Sequence, residues 1–283
     1  MRDRHYWTVL KTVFIVVIIT VLIRQDLLSL EPILIAFSRW PWILTGWAFM
    51  LFSTLTTIVR WHFLIRAQGI QIPVKRTFQA AFVGLFFNMF LPGSLSGDLV
   101  KGYYIVRAAP GHTAATVSSV LFDRIVGMSG LIALAAIVLI AGRGGEWAGM
   151  LGTPVIIAVL GIAIGVSVFY IALLGVDEQR DPILKIAGTP SGRLSFLRGA
   201  LSVYRGIRVY HDKKAITLTA IVGSVVAHAS FAVGWICYMK AMGIDGIPTA
   251  ALFVVVPVGM LVAAIPLAPG GIGTGHAAFL AIF

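Results

Sequence analysis

The chain has 283 residues, of which 59% are hydrophobic and only 12% charged. A soluble domain carries about 45–50% apolar and about 25% charged residues, so a water-soluble globular protein is excluded. The net charge of +11 owes as much to sparse acids as to abundant bases. In so apolar a chain it points to cytoplasmic loops and anionic lipid, not to nucleic acid.

Windows of about 20 apolar residues mark membrane-crossing helices. The first falls at residues 8–23, behind the basic residues Arg2, Arg4 and Lys11. Arg24, Gln25 and Asp26 follow it where a small-x-small cleavage site would stand, so a retained span is expected in place of a signal peptide. Further spans are expected at 42–63, 116–140, 154–174 and 216–239, and a sixth apolar region starts near Thr249. The stretch 77–92 is too short and too interrupted to read as a span. Cys237 is the single cysteine and lies in an apolar run, so no intrachain disulfide is open to the chain and the thiol reads as core. The expected fold is an all-α polytopic membrane protein with about six spanning helices plus Pro/Gly-broken re-entrant segments. A single integral membrane domain over residues 1–283, or one cut short at its C-terminus, is expected.

Charge sets the orientation. Residues 177–214 hold Arg180, Lys185, Arg193, Arg198, Arg205, Arg208, Lys213 and Lys214, and Arg66, Lys75 and Arg76 make an earlier loop basic. Positive loops face the cytoplasm. If 77–92 crossed fully, these basic sites and the N-terminus would fall on opposite sides; if it turns at Pro92-Gly93 and returns, all lie inside. A re-entrant hairpin is therefore expected. Within the large basic loop, Phe196, Leu197, Ala200, Leu201, Tyr204 and Ile207 recur at helical spacing, with Arg198, Arg205 and Arg208 on the rest of the surface. This predicts either a short amphipathic helix on the anionic leaflet or a solvated loop that only sets topology.

Two apolar stretches are broken by Pro/Gly-rich turns, one in each half of the chain: N-M-F-L-P-G-S-L-S-G-D at 88–98 and P-L-A-P-G-G-I-G-T-G-H at 266–276. Irregular backbone at membrane depth is tolerated only where protein covers it or where it lines a cavity. Such a pair is the best sequence-level pointer to a binding site near mid-membrane. In the first turn, Ser94 or Ser96 can cap a helix running on through Asp98, Lys101 and Tyr104 to Arg107. A helix start there offers free N–H groups and a positive dipole end, which suits phosphate. In the second turn, Gly270, Gly271, Gly273 and Gly275 allow close backbone approach and a helix would start near His276. The alternative is structural: Gly and Pro are common in membrane helices, and Asp98 then satisfies its own helix end.

Asp123-Arg124 sits about two turns inside an apolar span, where a charge costs about 2.5–3.5 kcal/mol. Neighbouring helix positions diverge by about 100°, so the two are expected to partner different groups, Asp123 joining Asp98, Lys101 and Arg124 in one cluster. A structural ion pair between helices is the competing reading. Arg60 reads as snorkelling to the interface, and His228 as a hydrogen-bonded packing residue. No H-E-x-x-H, Walker or G-x-S-x-G motif is present, so metal catalysis, ATP coupling and any cofactor are not expected.

The strings N-M-F-L-P-G-S-L-S-G-D-L-V-K-G-Y-Y, F-D-R-I-V-G and P-L-A-P-G-G-I-G-T-G-H, in that order, resemble the lysylphosphatidylglycerol synthase transmembrane-region family, also called the flippase-like domain family. The resemblance runs from the second span onward. It implies a multi-pass protein of the prokaryotic inner membrane that translocates or binds a phosphate-bearing lipid, aminoacyl-phosphatidylglycerol-like or polyprenyl-linked. The family pattern falls here on Asn88, Pro92, Gly93, Gly97, Asp98, Asp123, Arg124, Pro269, Gly270, Gly271 and Gly273. Many relatives carry Arg where Lys101 stands, and often an acidic residue near His276. The chain ends at Phe283 within an apolar run where relatives continue through another span. No synthetase domain follows, so lysyl transfer is not expected. The expected partners are membrane lipids, an anionic phospholipid or a polyprenyl-phosphate lipid, with room for a homo-oligomer and no nucleic acid. Two readings of other classes stay open: an enzyme acting on a lipid-linked sugar through Asp98 or Asp123, and a small-solute secondary transporter.

Overall fold

The computed structural model of the chain describes residues 31–90, 96–142, 151–177, 181 and 195–263, and Val13, Val17 and Thr20 before them. Among the described residues every regular element is helical. In chain order these are α1 (Glu31–Ser38), α2 (Trp40–Ala67), α3 (Val74–Phe90), α4 (Ser96–Ala108), α5 (Thr113–Ala141), α6 (Thr153–Gly175), α7 (Ser195–Arg208), a 3-10 turn (Val209–His211), α8 (Lys214–Met242) and α9 (Thr249–Ala263).

Four of them, α2, α5, α6 and α8, are long and apolar enough to cross a membrane. At about 1.5 Å per residue even the 23 residues of α6 exceed a hydrocarbon core of about 30 Å. The chain is an all-helical, multi-pass membrane protein. These four coincide with the spans expected at 42–63, 116–140, 154–174 and 216–239, each a few residues longer. The sixth apolar region begins as α9, 15 residues with Pro257 inside. The span expected at 8–23 lies outside the described residues except for three helical positions, and the whole of 266–276 lies outside them.

Helix ends follow local chemistry. Gly69, at φ 80, takes the left-handed conformation that stops α2, which glycine adopts without steric cost. Pro occupies the first turn of α6, where its missing N–H removes no helical bond.

The stretch read as too short to cross is a helical hairpin. α3 has 17 residues and α4 has 13, about 25 Å and 20 Å long, so neither reaches across the core. They run antiparallel in contact. Gly84 of α3 faces Gly97 of α4 so closely that a Cβ on Gly97 would lie 2.5 Å from the Gly84 carbonyl oxygen, and one on Gly84 2.7 Å from that of Gly97. Small residues that let membrane helices approach in this way are common at their interfaces.

The fold divides into two compact units. In the smaller, Met1–Ala48 with Gly234–Gly246, Arg39 Nη1 donates to the Lys240 carbonyl at 3.0 Å, and the Lys240 ammonium lies 4.8 Å from the Trp42 ring centroid. The larger, Phe49–Val233 with Ile247–Phe283, has three apolar clusters, around Trp61 and Ile65, around Phe122 and Tyr210, and around Ala135 and Val254. The Phe122 and Tyr210 rings stack at 3.9 Å, and Tyr210 donates its hydroxyl to the Leu64 carbonyl at 3.0 Å.

The basic loop does contain a helix, α7, but protein covers one of its sides. Gln68 Nε2 donates to the Gly206 carbonyl at 2.7 Å and Ser118 Oγ to that of Val203 at 3.1 Å. Arg208, assigned to the solvated face from sequence, is buried. It donates to the carbonyls of Leu173 and Val176 and meets Asp181. The last carbonyls of α6 have no intrahelical partner, and a guanidinium supplies donors there that lipid lacks. Burial, with Asp181 as acceptor and neighbour, pushes the Tyr204 hydroxyl up to about 12.

Candidate functional site

The site is built where α4 begins against the middle of α5. Asp98 of α4 meets Arg124 of α5, and one turn later Gly102 of α4 faces Val120, where a Cβ would lie 3.6 Å from the valine. Arg124 is eleven residues after Thr113, about 16 Å along α5. The start of α4 thus lies well inside the length of a spanning helix rather than at its end. Its first amides have no intrahelical acceptors, and Asp98 in its first turn suits the positive end of the helix dipole.

Five charged side chains form a continuous, alternating chain. Arg124 Nη1 donates to Asp98 Oδ2 at 2.8 Å, and Asp98 Oδ1 lies 2.9 Å from Lys101 Nζ. Lys101 Nζ also reaches Asp123 Oδ2 at 3.2 Å. Asp123 Oδ1 in turn accepts from Arg60 Nε at 2.9 Å, and Arg60 Nη1 donates to Ser224 Oγ at 2.8 Å. Both aspartates therefore engage a cation with each carboxylate oxygen. The Lys101 ammonium additionally sits 4.7 Å from the Trp61 ring centroid, an attractive cation–π placement.

A cavity of about 220 Å³ opens beside this chain, lined by α2, α3, α4 and α5. Asn88, Gly97, Asp98, Lys101, Asp123 and Arg124 all border it. Ser96 Oγ donates to Asn88 Oδ1 at 3.4 Å, bridging the two arms of the hairpin. Six of the residues expected from sequence thus surround one hollow, and Ser96 stands at its edge. The expectation that Asp123 and Arg124 take different partners also holds. Pro92, Gly93 and Ser94 of the first turn, and Pro269, Gly270, Gly271, Gly273, Gly275 and His276 of the second, lie outside the described residues.

Arg60 is a correction. It does not snorkel to the interface but is buried, 8% exposed, and anchors the inner end of the charge chain. Ala67 closes α2 seven residues later, about 10 Å away, so a guanidinium at this depth gains more from Asp123 than from distant water. That distance from the helix end was the available signal. Trp61, Gly84 and Ser224 were also missed, because each is an ordinary residue until its neighbour is known. His228 behaves as expected, its Nε2 3.1 Å from the Gly127 carbonyl, and the buried His62 Nδ1 lies 2.9 Å from Thr77 Oγ1.

A single pair would satisfy a structural ion bridge between helices. Here three cations and two carboxylates are linked beside an open hollow, and those on the apolar spans α2 and α5, Arg60, Asp123 and Arg124, each cost about 2.5–3.5 kcal/mol before pairing. Charges retained inside a membrane at that cost mark substrate pathways more often than scaffolding. With Arg60 the ion chain holds three cations against two carboxylates, while the four charged residues that border the hollow balance. Among the described residues no group of His, Cys, Asp and Glu is placed to hold a metal ion.

A family model described as lysylphosphatidylglycerol synthase TM region matches residues 8–283. No curated protein and no solved structure matches the chain.

Proposed function

The chain belongs to the lysylphosphatidylglycerol synthase TM region family, and on that premise we propose that it carries a phosphate-bearing lipid between leaflets. The protein is an integral membrane protein related to lipid handling. In our reading the headgroup enters the hollow between α2, α3, α4 and α5, where Lys101 and Arg124 face its phosphate while the acyl or prenyl tails stay in lipid. The observation that carries this is the alternating chain of five charges beside an open cavity, next to a helix that begins inside the span. A re-entrant hairpin accounts for that beginning: α3 and α4 are each too short to cross, and a return to the entry side leaves Arg66, Lys75, Arg76 and Arg107 with the basic loop 177–214. Positive-inside asymmetry makes that side cytoplasmic, in the cell membrane of a prokaryote.

We read the protein as a carrier, not an enzyme. All four carboxylate oxygens of Asp98 and Asp123 are engaged by cations, so in our reading both aspartates serve to hold Lys101 and Arg124 at the hollow. The test is translocation of a fluorescent phospholipid in proteoliposomes. The double variant Lys101→Ala, Arg124→Ala is expected to fall to the rate of protein-free vesicles. Wild-type rates in that variant, with the protein folded, would overturn the reading.

A further inference from the structure

Two carboxylates and a ring hold the Lys101 ammonium. Asp98 and Asp123 lie 2.9 and 3.2 Å from its Nζ, and the centroid of the Trp61 ring lies 4.7 Å away. Trp61 and Lys101 both border the hollow. Trp61 follows Arg60 on α2, and neighbouring helix positions diverge by about 100°. One helix therefore turns Arg60 onto Asp123 and the indole onto Lys101. The ring is 1% exposed and packs in one apolar cluster with Ile58 and Ile65 of its own helix, Ala81 of α3, Ile105 of α4 and Val120 of α5. Three other helices thus fix its place.

We infer that Trp61 is a positioning residue for the headgroup phosphate: its buried indole face fixes where the Lys101 ammonium stands at the hollow. The inference rests on the carrier reading above and deepens it. A ring face attracts a cation through its quadrupole and leaves the cation's charge uncancelled. A third carboxylate in that place would cancel it. Lysine carries its charge on a flexible four-carbon stem, and fixing that stem in advance lowers the ordering cost of binding a phosphate. Hydrogen bonding does not account for a tryptophan here. Among the described residues its buried Nε1 meets no acceptor, whereas a buried indole N–H ordinarily has one. The indole face, the best of the aromatic faces for a cation, accounts for the residue.

The attraction is electronic, so it can be weakened while the ring stays in place. Fluorine on the indole withdraws electron density from its face and changes its outline little. Loss of a cation–π contact corresponds to roughly a 2- to 30-fold change in affinity, the upper end applying where the cation is desolvated. A merely structural Trp61 would respond to ring size and not to ring electronics.

The experiment replaces Trp61 of the full chain by mono-, di- and trifluorotryptophan through amber suppression. Lipid competition in nanodiscs, read by native mass spectrometry, sets phosphatidylglycerol and lysyl-phosphatidylglycerol against phosphate-free diacylglycerol. Wild type is expected to retain one or both phosphate lipids over diacylglycerol. Each added fluorine should lower that ratio, to about a third or less with three, while the melting temperature stays near that of wild type. The same series at Trp47, which is 70% exposed, is the control and should leave the ratio unchanged. A ratio that does not move across the Trp61 series would overturn the positioning role and leave the carrier reading standing. An equal fall in the Trp47 series would overturn the role too, as would a fall at Trp61 matched by a fall in melting temperature. Retention of neither phosphate lipid over diacylglycerol by wild type would overturn both readings.

Discussion

Gly97→Ala tests the hairpin on which the site depends. The added methyl would lie 2.5 Å from the Gly84 carbonyl oxygen and 2.9 Å from the Asn88 Cβ, where ordinary contact begins near 3.4 Å. The shortfall of about 0.9 Å is against backbone, which cannot swing aside, so α3 and α4 must separate or strain. Overpacking of this kind costs about 1–3 kcal/mol, offset by a helix-propensity gain of about 1 kcal/mol for replacing glycine. The same separation would draw Asp98 and Lys101 away from Arg124 and Asp123. Gly102→Ala, on the same helix, is the control: its methyl would meet only Val120, at 3.6 Å. Melting curves of both variants in one detergent give the comparison. Gly97→Ala is expected to melt several degrees below wild type with weakened lipid retention, and Gly102→Ala at or above wild type. Equal melting of the two would refute the close approach of the helices.

Asp123→Asn leaves Arg60 and Lys101 short of a shared partner, and breaking a buried pair on one side costs about 3–5 kcal/mol; thermal unfolding should register a loss near that size. Arg208→Met strips the Leu173 and Val176 carbonyls of their donors, about 1–3 kcal/mol for each group left unsatisfied, and is measured the same way. Tyr210→Phe removes the bond to Leu64 while keeping the stack on Phe122, so it should cost only about 1 kcal/mol. The Tyr204 hydroxyl is raised from 10.0 to about 12. Its contribution is therefore complete below pH 10 and is lost as pH rises toward 12. Wild type should lose melting temperature between those values faster than Tyr204→Phe does.

The spans were legible because about 20 apolar residues have one meaning in a chain this poor in charge. The cluster of Asp98, Lys101, Asp123 and Arg124 was legible for the same reason, since a charge inside such a run needs a partner. The residues that complete it were not. Arg60 reads like any basic residue near a span end, and only its antiparallel neighbour α5 shows that Asp123 is within reach. Gly84 and Gly97 look like two of many membrane glycines until the hairpin places them face to face. Arg208 kept to the helical pattern of its loop but was turned inward by the open carbonyls at the end of α6, a demand set by another helix.

The central claim is that a phosphate sits beside Lys101 and Arg124 in the hollow where α4 begins. Electron cryomicroscopy of the full chain in phosphatidylglycerol nanodiscs measures this directly. The account predicts phosphate density within about 2.7–3.2 Å of the Lys101 ammonium or the Arg124 guanidinium, with tails running out to lipid. A hollow closed by side chains, or lipid phosphates confined to the two membrane surfaces, would contradict it.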